Sequence, residues 1–412
     1  MGFVYDFILF DKRNIMDKIS VVVLKKGKEQ AIRRFHPWIF SGAIKSIEGT
    51  PKEGEIVRVV SNHGEFLALG HYQVGSITIR IVSFDDVVID HEFWKEQISK
   101  AIDVRKALGL FDSNDTNVFR LVHGEGDSLP GLIIDFYNGT AVIQSHSIGM
   151  YQLRNEFAEI LHELLEEKLE AVYFKSNKTL SQNGEKIELE NGFYGSDRSE
   201  SPVIVNEYGN KFNVDFIEGQ KTGFFIDQRE NRHLLMKYSK NRDVLNMFGY
   251  TGGFSVYALK GGAKHVDTVD ASARAMELTD KNVSLNGDND AHKSFVCDAA
   301  DFLKDIKDKY DLIILDPPAF AKHRSALRQA LQAYKRLNQK AFEQIRPGGI
   351  LFTFSCSQVV TKENFREAVF SAAALSKRRV RILYQLSQPS DHPVSIYHPE
   401  GEYLKGLVLY IE

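Results

Sequence analysis

Two side chains suited to attacking and protonating an aromatic ring follow two apolar segments of the sequence. Asp316 comes after Leu312–Leu315, and Cys356, one of only two cysteines in 412 residues, comes after Gly349–Ser355. Both segments predict buried strands, and groups at the carboxyl ends of parallel strands meet in one pocket. A thiolate that adds to carbon 6 of cytosine makes carbon 5 nucleophilic, and a carboxylic acid can relieve the charge at N3. The sequence therefore predicts Cys356 as a nucleophile and Asp316 as its acid partner.

The neighbours of both residues indicate how they would titrate. Apolar Leu315 and the Pro317-Pro318 turn flank Asp316, which predicts a raised pKa and a carboxyl group that holds a proton at neutral pH. For Cys356 we expect a pKa lowered by its site. An ordinary buried thiol is the alternative for Cys356, and Cys297, inside an earlier strand, is expected to be core. The sequence does not identify the base that would remove the carbon-5 proton.

The second half of the chain supplies the elements that would position these residues. From residue 243 to residue 375, predicted strands and helices alternate, which is typical of a parallel sheet with helices on both faces. A hairpin over 203–216 precedes them, and Leu404–Ile411 is predicted as an edge strand. The predicted fold class is α/β, with a C-terminal Rossmann-like domain after a β-rich pseudo-barrel and a small α+β domain.

The turns of this sheet carry the pattern of a cofactor site. Glycines after the first strand let a ligand approach the backbone beside a helix N-terminus. The predicted contacts in this turn are Asn246, Phe248, Gly249, Tyr250, Thr251, Gly252 and Gly253. Asp270, at the end of the second strand, would accept ribose hydroxyls, and Asp298, after the third strand, would accept the adenine amine. With their neighbours Ala271, Ala299 and Pro317, these residues resemble the S-adenosylmethionine (SAM) site of class I methyltransferases.

Residues just before the first strand complete the predicted site. Phe225 is expected to wall the cofactor pocket, and Arg229 is expected to meet the methionine carboxylate of SAM. Plain core packing explains Phe224 and Phe225 equally well.

The chain before residue 201 divides into three predicted parts, and 201–412 forms the catalytic domain. Residues 1–18 are interpreted as an extension, 19–88 as an RNA-binding domain of short strands, and 89–200 as a central α+β domain. The RNA-binding domain is predicted to include a short helix over 29–40, and the central domain an amphipathic helix over 151–169 and a strand over 186–190. A basic cluster near residue 30 predicts an RNA-backbone contact, whereas a solvated charged rim is the alternative. The basic cluster consists of Lys25, Lys26, Lys28, Arg33 and Arg34.

Composition narrows the class of protein further. The net charge of −3 excludes a wholly basic nucleic-acid binder, and two cysteines fit a reducing cytoplasm rather than a disulfide scaffold. The apolar stretch Phe7–Phe10 is too short to span a membrane. The His123–Gly131 loop could suggest metal ligation, but its glycines favour a turn. We therefore expect a cytoplasmic protein with neither a metal site nor a membrane partner.

Over residues 19–412 the chain resembles the RlmI-like family of large-subunit ribosomal RNA cytosine-5 methyltransferases. The matching stretches are His123–Leu132, Gly219–Arg229, Asn246–Phe254, Asp316–Phe320 and Ser355–Ser357. The resemblance implies SAM as cofactor, an RNA-binding PUA domain, Cys356 as nucleophile, a cytosine of 23S ribosomal RNA as target, and often a homodimer. The chain departs from the family at Ser176–Leu180, where an acidic, arginine-bearing stretch is usual, and this departure concerns the RNA target more than the chemistry.

Two alternatives stay open at this point. An amino-group methyltransferase, acting on N6 of adenine or N2 of guanine, uses an acid-Pro-Pro-aromatic motif and needs no cysteine. Here Ala319 stands between the second proline and Phe320, so the aromatic residue comes one position later than in that motif. This spacing and Cys356 together argue against that alternative. The other alternative is a ribosome-assembly factor that binds RNA and SAM without turnover.

Overall fold

The structure, a computed structural model, describes residues 19–180, 187–287 and 290–412. The predicted extension 1–18 lies outside these residues, and so does Lys186, the first residue of a strand predicted over 186–190. Residues 187–190 are not a strand, and Gly192–Phe193 forms one instead. Within the described ranges, no helix combines the length and the apolar character needed to cross a bilayer.

A six-stranded sheet forms the N-terminal part of the described chain. Its strands are β1 (Val21–Leu24), β2 (Trp38–Phe40), β3 (Ile44–Glu48), β4 (Ile56–Val60), β5 (Phe66–Tyr72) and β6 (Ile77–Ser83), in the order β2-β6-β5-β4-β1-β3. The helix predicted over 29–40 is wrong beyond its first turn, because α1 (Glu29–Ile32) ends there. Pro37 disfavours helical backbone at the preceding residue, and Phe35, at φ 62°, turns the chain towards β2.

A five-stranded sheet with three helices follows. Its strands, in spatial order, are β11 (Gly192–Phe193), β10 (Ala171–Phe174), β9 (Thr140–Ser145), β8 (Leu132–Tyr137) and β7 (Val118–His123). The helices are α2 (His91–Ala107), α3 (Ile148–Gln152) and α4 (Arg154–Leu165). The single helix predicted over 151–169 is therefore two helices: the Ser147 side chain caps α3, and Glu166, at φ 49°, follows the end of α4. Trp94 of α2 and Phe157 of α4 pack into one core with the sheet.

The C-terminal part holds a hairpin and a seven-stranded sheet. The hairpin pairs β12 (Val203–Glu207) with β13 (Asn210–Val214). The strands of the large sheet are β14 (Asp243–Met247), β15 (His265–Asp270), β16 (His292–Val296), β17 (Leu312–Leu315), β18 (Gly349–Ser355), β19 (Val380–Leu386) and β20 (Lys405–Ile411). The helices are α5 (Arg229–Tyr238), α6 (Gly253–Lys260), α7 (Ala273–Leu285), α8 (Ala299–Phe302), α9 (Leu327–Gln344) and α10 (Lys362–Ser376). Strands β14 to β18 are parallel, which confirms the predicted α/β class.

The last strand does not lie at the edge of the large sheet, so that prediction is wrong. The strand order is β16-β15-β14-β17-β18-β20-β19, and β20 runs antiparallel to both of its neighbours. β20 is buried along nearly its whole length, as expected for an internal strand. The edge strand at this end of the sheet, β19, was not predicted from the sequence, because its apolar and polar residues do not alternate regularly.

A loop between β19 and β20, residues 387–404, contacts all three parts of the protein, and we call it the crossing loop. Its His398 ring lies 4.2 Å from the Trp38 ring of the first sheet. Its Asp391 carboxylate accepts a hydrogen bond from the Arg120 N–H of β7 at 3.0 Å. The crossing loop therefore fixes the three sheets relative to one another.

The His123–Gly131 loop packs against the crossing loop. Two hydrogen bonds from the buried Arg105 guanidinium hold the Asp127 carboxylate at 2.6 and 2.8 Å. A Cβ atom on Gly126 would meet the carbonyl oxygen of Pro393 at 1.9 Å, so only glycine permits this approach. Asp127 is thus paired with an arginine, and the loop forms a junction between parts of the protein.

Candidate active site

A cavity of about 360 Å³ opens at the carboxyl ends of β14 to β18. Ligands bind at this position in doubly wound sheets, and the volume lies within the usual range for small-molecule sites. Most predicted site residues line it. They are Phe225, Phe248, Gly249, Tyr250, Thr251, Gly253, Asp270, Ala271, Asp298, Ala299, Asp316, Pro317 and Cys356. Three predicted cofactor contacts, Asn246, Gly252 and Arg229, lie outside the lining.

The turn after β14 is held in a strained, left-handed backbone. Phe248, Tyr250 and Gly252 have φ values of 60°, 47° and 76°, and such values cluster at ligand sites. A Cβ atom on Gly249 would lie 2.2 Å from a side chain of β15, so the close approach of the turn to that strand needs glycine. Asn246 is buried and donates to a hydroxyl of α6 at 2.9 Å. Asn246 and Gly252 therefore shape the turn from behind the cavity.

The two carboxylates predicted to bind the nucleoside are oriented by backbone N–H groups. Asp270 accepts from Tyr250 N–H at 3.1 Å through one oxygen and from Ser272 N–H at 2.9 Å through the other. Asp298 caps α8 and accepts from Ala300 N–H at 2.8 Å. Each ionised carboxyl keeps further lone pairs for a ligand. Two fixed acceptors at neighbouring strand ends match the hydroxyls of a ribose and the amine of an adenine.

Asp316 lies directly after β17 and is held by a glutamine. The Gln228 amide donates to Asp316 at 3.0 Å, and Asn231 donates to the Gln228 carbonyl oxygen at 2.6 Å, which fixes the orientation of that amide. Burial of the carboxyl group and the negative charge of Asp227 raise the pKa of Asp316 to about 7. Asp316 can therefore both give and accept a proton near neutral pH.

Cys356 lies directly after β18, and its half-buried thiol lies 3.9 Å from the carbonyl oxygen of Pro317. The Ser357 hydroxyl accepts a hydrogen bond from Ala321 N–H at 3.3 Å, which ties the loop after Asp316 to the residues around the thiol. Burial and the nearby Asp316 carboxylate raise the pKa of Cys356 to about 11. The lowered pKa expected from the sequence is therefore wrong. The resting thiol needs a proton acceptor before it can attack.

Arg229 does not meet the cavity, contrary to the expectation that it binds the methionine carboxylate. Its buried guanidinium donates to Val118 O at 3.1 Å and pairs with Asp391 at 3.0 Å. Arg232 and Lys221 are the cationic side chains that line the cavity within the described ranges. Two hydrogen bonds of 2.8 Å hold Arg232 on a buried glutamate. The exposed Lys221 is better placed to meet a ligand carboxylate.

Several lining residues were not predicted from the sequence, and Lys221, Asp227 and Gln228 are among them. The available signal was the density of polar residues around the paired phenylalanines of the Gly219–Arg229 segment, which is unusual for a stretch that is largely buried. Cys297 was expected to be core, and it packs half-buried against a hydrophobic core cluster while also lining the cavity.

Phe320 lies outside the lining, although the second proline of the Asp-Pro-Pro motif, Pro318, belongs to it. The Phe320 ring packs on Tyr334 with 4.7 Å between ring centres. In an amino-group methyltransferase the aromatic residue of this motif stacks on the target base. Here the aromatic residue, Phe320, packs against Tyr334 and does not line the cavity.

The basic cluster lies in the turn after β1 and directly after α1, and all of its members are exposed. Lys25 donates to the carbonyl oxygen of Gly42 at 2.9 Å, and Arg33 forms an ion pair with Glu65 that offsets part of the positive charge. The other members are Lys26, Lys28 and Arg34. The structure thus leaves the cluster available to a polyanion but does not bring it into the cavity lining.

The cavity fits SAM by its chemistry, because fixed carboxylates suit the ribose and adenine and an exposed lysine suits the methionine carboxylate. Fold and cavity together define a class I SAM-dependent methyltransferase. Two family models agree with this class: a PUA-like domain matches residues 22–84, and an S-adenosylmethionine-dependent methyltransferase matches residues 191–394.

Curated relatives specify the family. Ribosomal RNA large subunit methyltransferase I of Aeromonas salmonicida is 38% identical over 399 residues, which cover 94% of this chain and 98% of the relative. The protein of the same name from Tolumonas auensis is 39% identical over 396 residues, which cover 95% and 99% of the two chains. The chain therefore belongs to the ribosomal RNA large subunit methyltransferase I family.

Two solved structures share the fold over 95% of this chain and 99% of their own, each at 22% identity. One is a protein from Streptococcus mutans assigned as a SAM-dependent methyltransferase, with a TM-score of 0.81. The other is a protein assigned as a methyltransferase and crystallised with SAH, with a TM-score of 0.82.

Proposed function

We propose that this protein is a cytoplasmic enzyme that methylates carbon 5 of a cytosine in large-subunit (23S) ribosomal RNA. The observation that carries the proposal is the presence of Cys356 and Asp316 in the cavity that also holds Asp270 and Asp298. The names of the relatives support ribosomal RNA as the substrate, and the match to a PUA-like domain supports RNA binding.

The proposed reaction uses the thiol and the carboxyl group as a pair. When bound, SAM supplies an electrophilic methyl group on a positively charged sulfonium. The Asp316 carboxylate takes the thiol proton of Cys356 as sulfur bonds to carbon 6 of the cytosine, and this proton is passed to N3. The electron pair of the C5–C6 double bond moves towards N3, which makes carbon 5 nucleophilic.

The pKa values of the pair support this division of work. With a carboxyl pKa of about 7 and a thiol pKa of about 11, the pair between these values consists of a carboxylate and a thiol. Moving one proton from the Cys356 sulfur to the Asp316 carboxylate produces the thiolate that attacks carbon 6 and the carboxylic acid that protonates N3. The raised thiol pKa is therefore compatible with covalent attack. The packing of Phe320 on Tyr334 supports this reaction over amino-group methylation.

Mapping the modified nucleotide tests the function directly. We expect 23S ribosomal RNA from cells that lack the gene to miss the methyl group at one cytosine, and purified protein with SAM to restore it as 5-methylcytosine. Mass mapping of nuclease fragments measures both results. A methyl group on an amino nitrogen would favour amino-group methylation, and RNA without any change in methylation would favour the assembly-factor role.

The proposed RNA path begins at the N-terminal part. We propose domains at 19–88, 89–200 and 201–412, with the first domain and its basic cluster holding the RNA backbone. The target base must leave its stack to reach the cavity, which costs a few kcal/mol and is offset by contacts elsewhere on the RNA.

We further propose that the protein is a homodimer that pairs through β19 and α10. Unpaired edge strands with apolar side chains invite pairing with another chain. Three consecutive apolar residues of β19, Ile382, Leu383 and Tyr384, are exposed, and on α10 the Phe370 side chain is 71% exposed. Such an apolar edge is better explained by a partner than by contact with water.

Replacing Phe370 by Asp is expected to convert the dimer to a monomer, because it would bury a charge in the apolar contact. At low protein concentration, where the protein is monomeric, the melting temperature of the variant should stay close to the wild-type value, because the Phe370 side chain is exposed on the monomer. Sedimentation velocity gives the oligomeric state. Val104→Asp, at an exposed apolar residue of α2, is the matched control and should remain dimeric. A wild-type monomer at micromolar concentration would refute the interface.

A further inference from the structure

The cavity contains a second carboxyl group that the proposed transfer of the methyl group does not use. Asp227 lines the same cavity as Cys356 and Asp316, and it is 8% exposed. It lies in a 3₁₀ turn, Ile226–Gln228, directly after the wall residue Phe225. The Tyr403 hydroxyl donates a hydrogen bond to one Asp227 oxygen at 2.7 Å. A buried carboxylate in the lining of a ligand cavity needs an explanation beyond packing, since burying a charge is costly.

The surroundings of Asp227 and Asp316 shift their pKa values in opposite directions. Burial alone would raise the pKa of Asp227, but the positive charge of Lys221 and the hydrogen bond from Tyr403 hold it below its usual value. Burial and the charge of Asp227 raise the pKa of Asp316 instead. Two carboxyl groups that share a site and titrate apart are the common arrangement for an acid and a base.

Cytosine-5 methylation needs such a base after methyl transfer. Carbon 5 then carries both the new methyl group and its original proton, and sulfur is still bonded to carbon 6. The proton at carbon 5 must leave before the C6–S bond can break and aromaticity can return. The Cys356 sulfur is bonded to the ring and cannot take this proton. Asp316 is a carboxylate again after it has given its proton to N3, but in the proposed reaction it faces the N–H at N3. A second carboxylate in the cavity would serve carbon 5 while Asp316 stays at N3.

We propose that Asp227 is the base that removes the carbon-5 proton. This proposal rests on the proposed cytosine-5 function. The Asp227 carboxylate takes the proton, and the electron pair of the C5–H bond restores the C5–C6 double bond. The C6–S bond breaks with its pair returning to sulfur, and the proton at N3 returns to the Asp316–Cys356 pair. The proton on Asp227 then passes to solvent. In the whole reaction the cytosine gains one methyl cation and loses one proton.

Tyr403 has a positioning role in this arrangement. The Tyr403 hydroxyl donates a hydrogen bond to one Asp227 oxygen, and the other oxygen can accept the carbon-5 proton of the cytosine. Tyr403 belongs to the crossing loop, and the next residue, Leu404, lines the cavity. The crossing loop therefore orients the base, while β17 and β18 orient the acid and the nucleophile.

Asp227→Asn tests the assignment because it removes the base and keeps the shape of the side chain. Methyl transfer should still occur once, and the RNA should then stay bonded to Cys356. We expect a methylated RNA–protein adduct that survives heating in detergent, together with a loss of steady-state turnover of roughly 10²- to 10⁴-fold. Electrophoresis with methyl-labelled SAM measures the adduct, and calorimetry with SAM measures cofactor binding.

Three controls keep the result decisive. Asp227→Asn combined with Cys356→Ala should form no adduct, and Asp103→Asn, at an exposed carboxylate of α2, should turn over like the wild type. RNA containing 5-fluorocytosine should stay covalently bonded to Cys356 of the wild-type protein. Carbon 5 then carries fluorine in place of the proton that must leave before the C6–S bond can break. If Asp227→Asn fails to fold, as shown by its melting curve, Asp227→Glu is measured instead and should slow release more than methyl transfer.

The outcomes separate the two proposals. If the 5-fluorocytosine RNA traps the wild type while Asp227→Asn turns over normally, Asp227 is not the base and the covalent mechanism stands. Asp227 is also excluded as the base if Asp227→Asn loses SAM binding and forms no adduct, since Asp227 would then be a cofactor ligand. If the wild type traps no 5-fluorocytosine RNA, the cytosine-5 function itself fails, and the role of Asp227 fails with it.

Discussion

Replacement of Cys356 by Ala is expected to lower the rate of methyl transfer by roughly 10³-fold or more, or about 4 kcal/mol of transition-state stabilisation. Without the thiol, carbon 6 has no nucleophile and carbon 5 stays too poor in electrons to accept a methyl group. The affinity for SAM should change little, because the carboxylates predicted to hold the nucleoside, Asp270 and Asp298, are fixed by backbone N–H groups and not by the thiol. Label transfer to 23S ribosomal RNA and calorimetry with SAM measure the two quantities.

The second cysteine of the chain provides the matched control. Cys297→Ala removes the other thiol at the cavity, and the variant should still form the covalent adduct with 5-fluorocytosine RNA. Cys356→Ala should form none. Methyl transfer at the wild-type rate by Cys356→Ala would refute the covalent mechanism, whereas a joint loss of SAM binding would mean that the substitution damaged the cavity.

Replacement of Asp316 by Asn is expected to lower kcat/KM by roughly 10²- to 10⁴-fold and to change its dependence on pH. In the wild type below pH 7, the Asp316 carboxyl group and the Cys356 thiol are both protonated. The carboxyl group then cannot accept the thiol proton, and the pair cannot react. As pH rises through the Asp316 pKa of about 7, the carboxylate becomes able to accept the thiol proton. The wild-type kcat/KM should therefore rise with pH up to about 7 and then level off.

The levelling should extend towards the Cys356 pKa of about 11, because the pair keeps the same number of protons over that range. Asp316→Asn should lose the inflection near pH 7, since an amide does not titrate. Initial rates over the pH range in which the protein stays folded measure both profiles. An unchanged inflection in the variant would assign it to another group, and Asp316→Glu is expected to restore part of both the rate and the inflection.

Four residues at strand ends could be placed at the cavity from the sequence because one local rule covers them. In a parallel α/β sheet, a polar residue directly after an apolar strand lies at the carboxyl edge, where ligands bind. Asp270, Asp298, Asp316 and Cys356 were all placed at the cavity for this reason, and all four line it.

The missed and misplaced residues depend on long-range contacts instead. Arg229 and Arg232 lie one helical turn apart in α5, and sequence alone does not show that Arg229 faces Asp391 of the crossing loop. The role of Asp227 depends on Tyr403, which lies 176 positions later in the chain. The titration of Cys356 could not be predicted either, because its pKa depends on burial and on the charge of a residue from another strand.

The end of the large sheet formed by β20 and β19 shows the same limit. β19 has no regular alternation, so only its pairing with β20 reveals it as a strand. β20 is recognisable from its apolar residues, but its place between β18 and β19 follows from the antiparallel return of the chain through the crossing loop. Strand existence was predictable from local pattern, and strand order was not.

The contact between Gly126 and Pro393 has a consequence for how a large RNA can be accommodated. Only a hydrogen atom fits on residue 126 at that point, and Arg105 and Arg120 both donate hydrogen bonds to Asp391 of the crossing loop. These contacts oppose relative movement of the sheets. We therefore expect most of the bending and unstacking that presents a cytosine to occur in the RNA, which would favour RNA helices that already contain a weak or bulged pair.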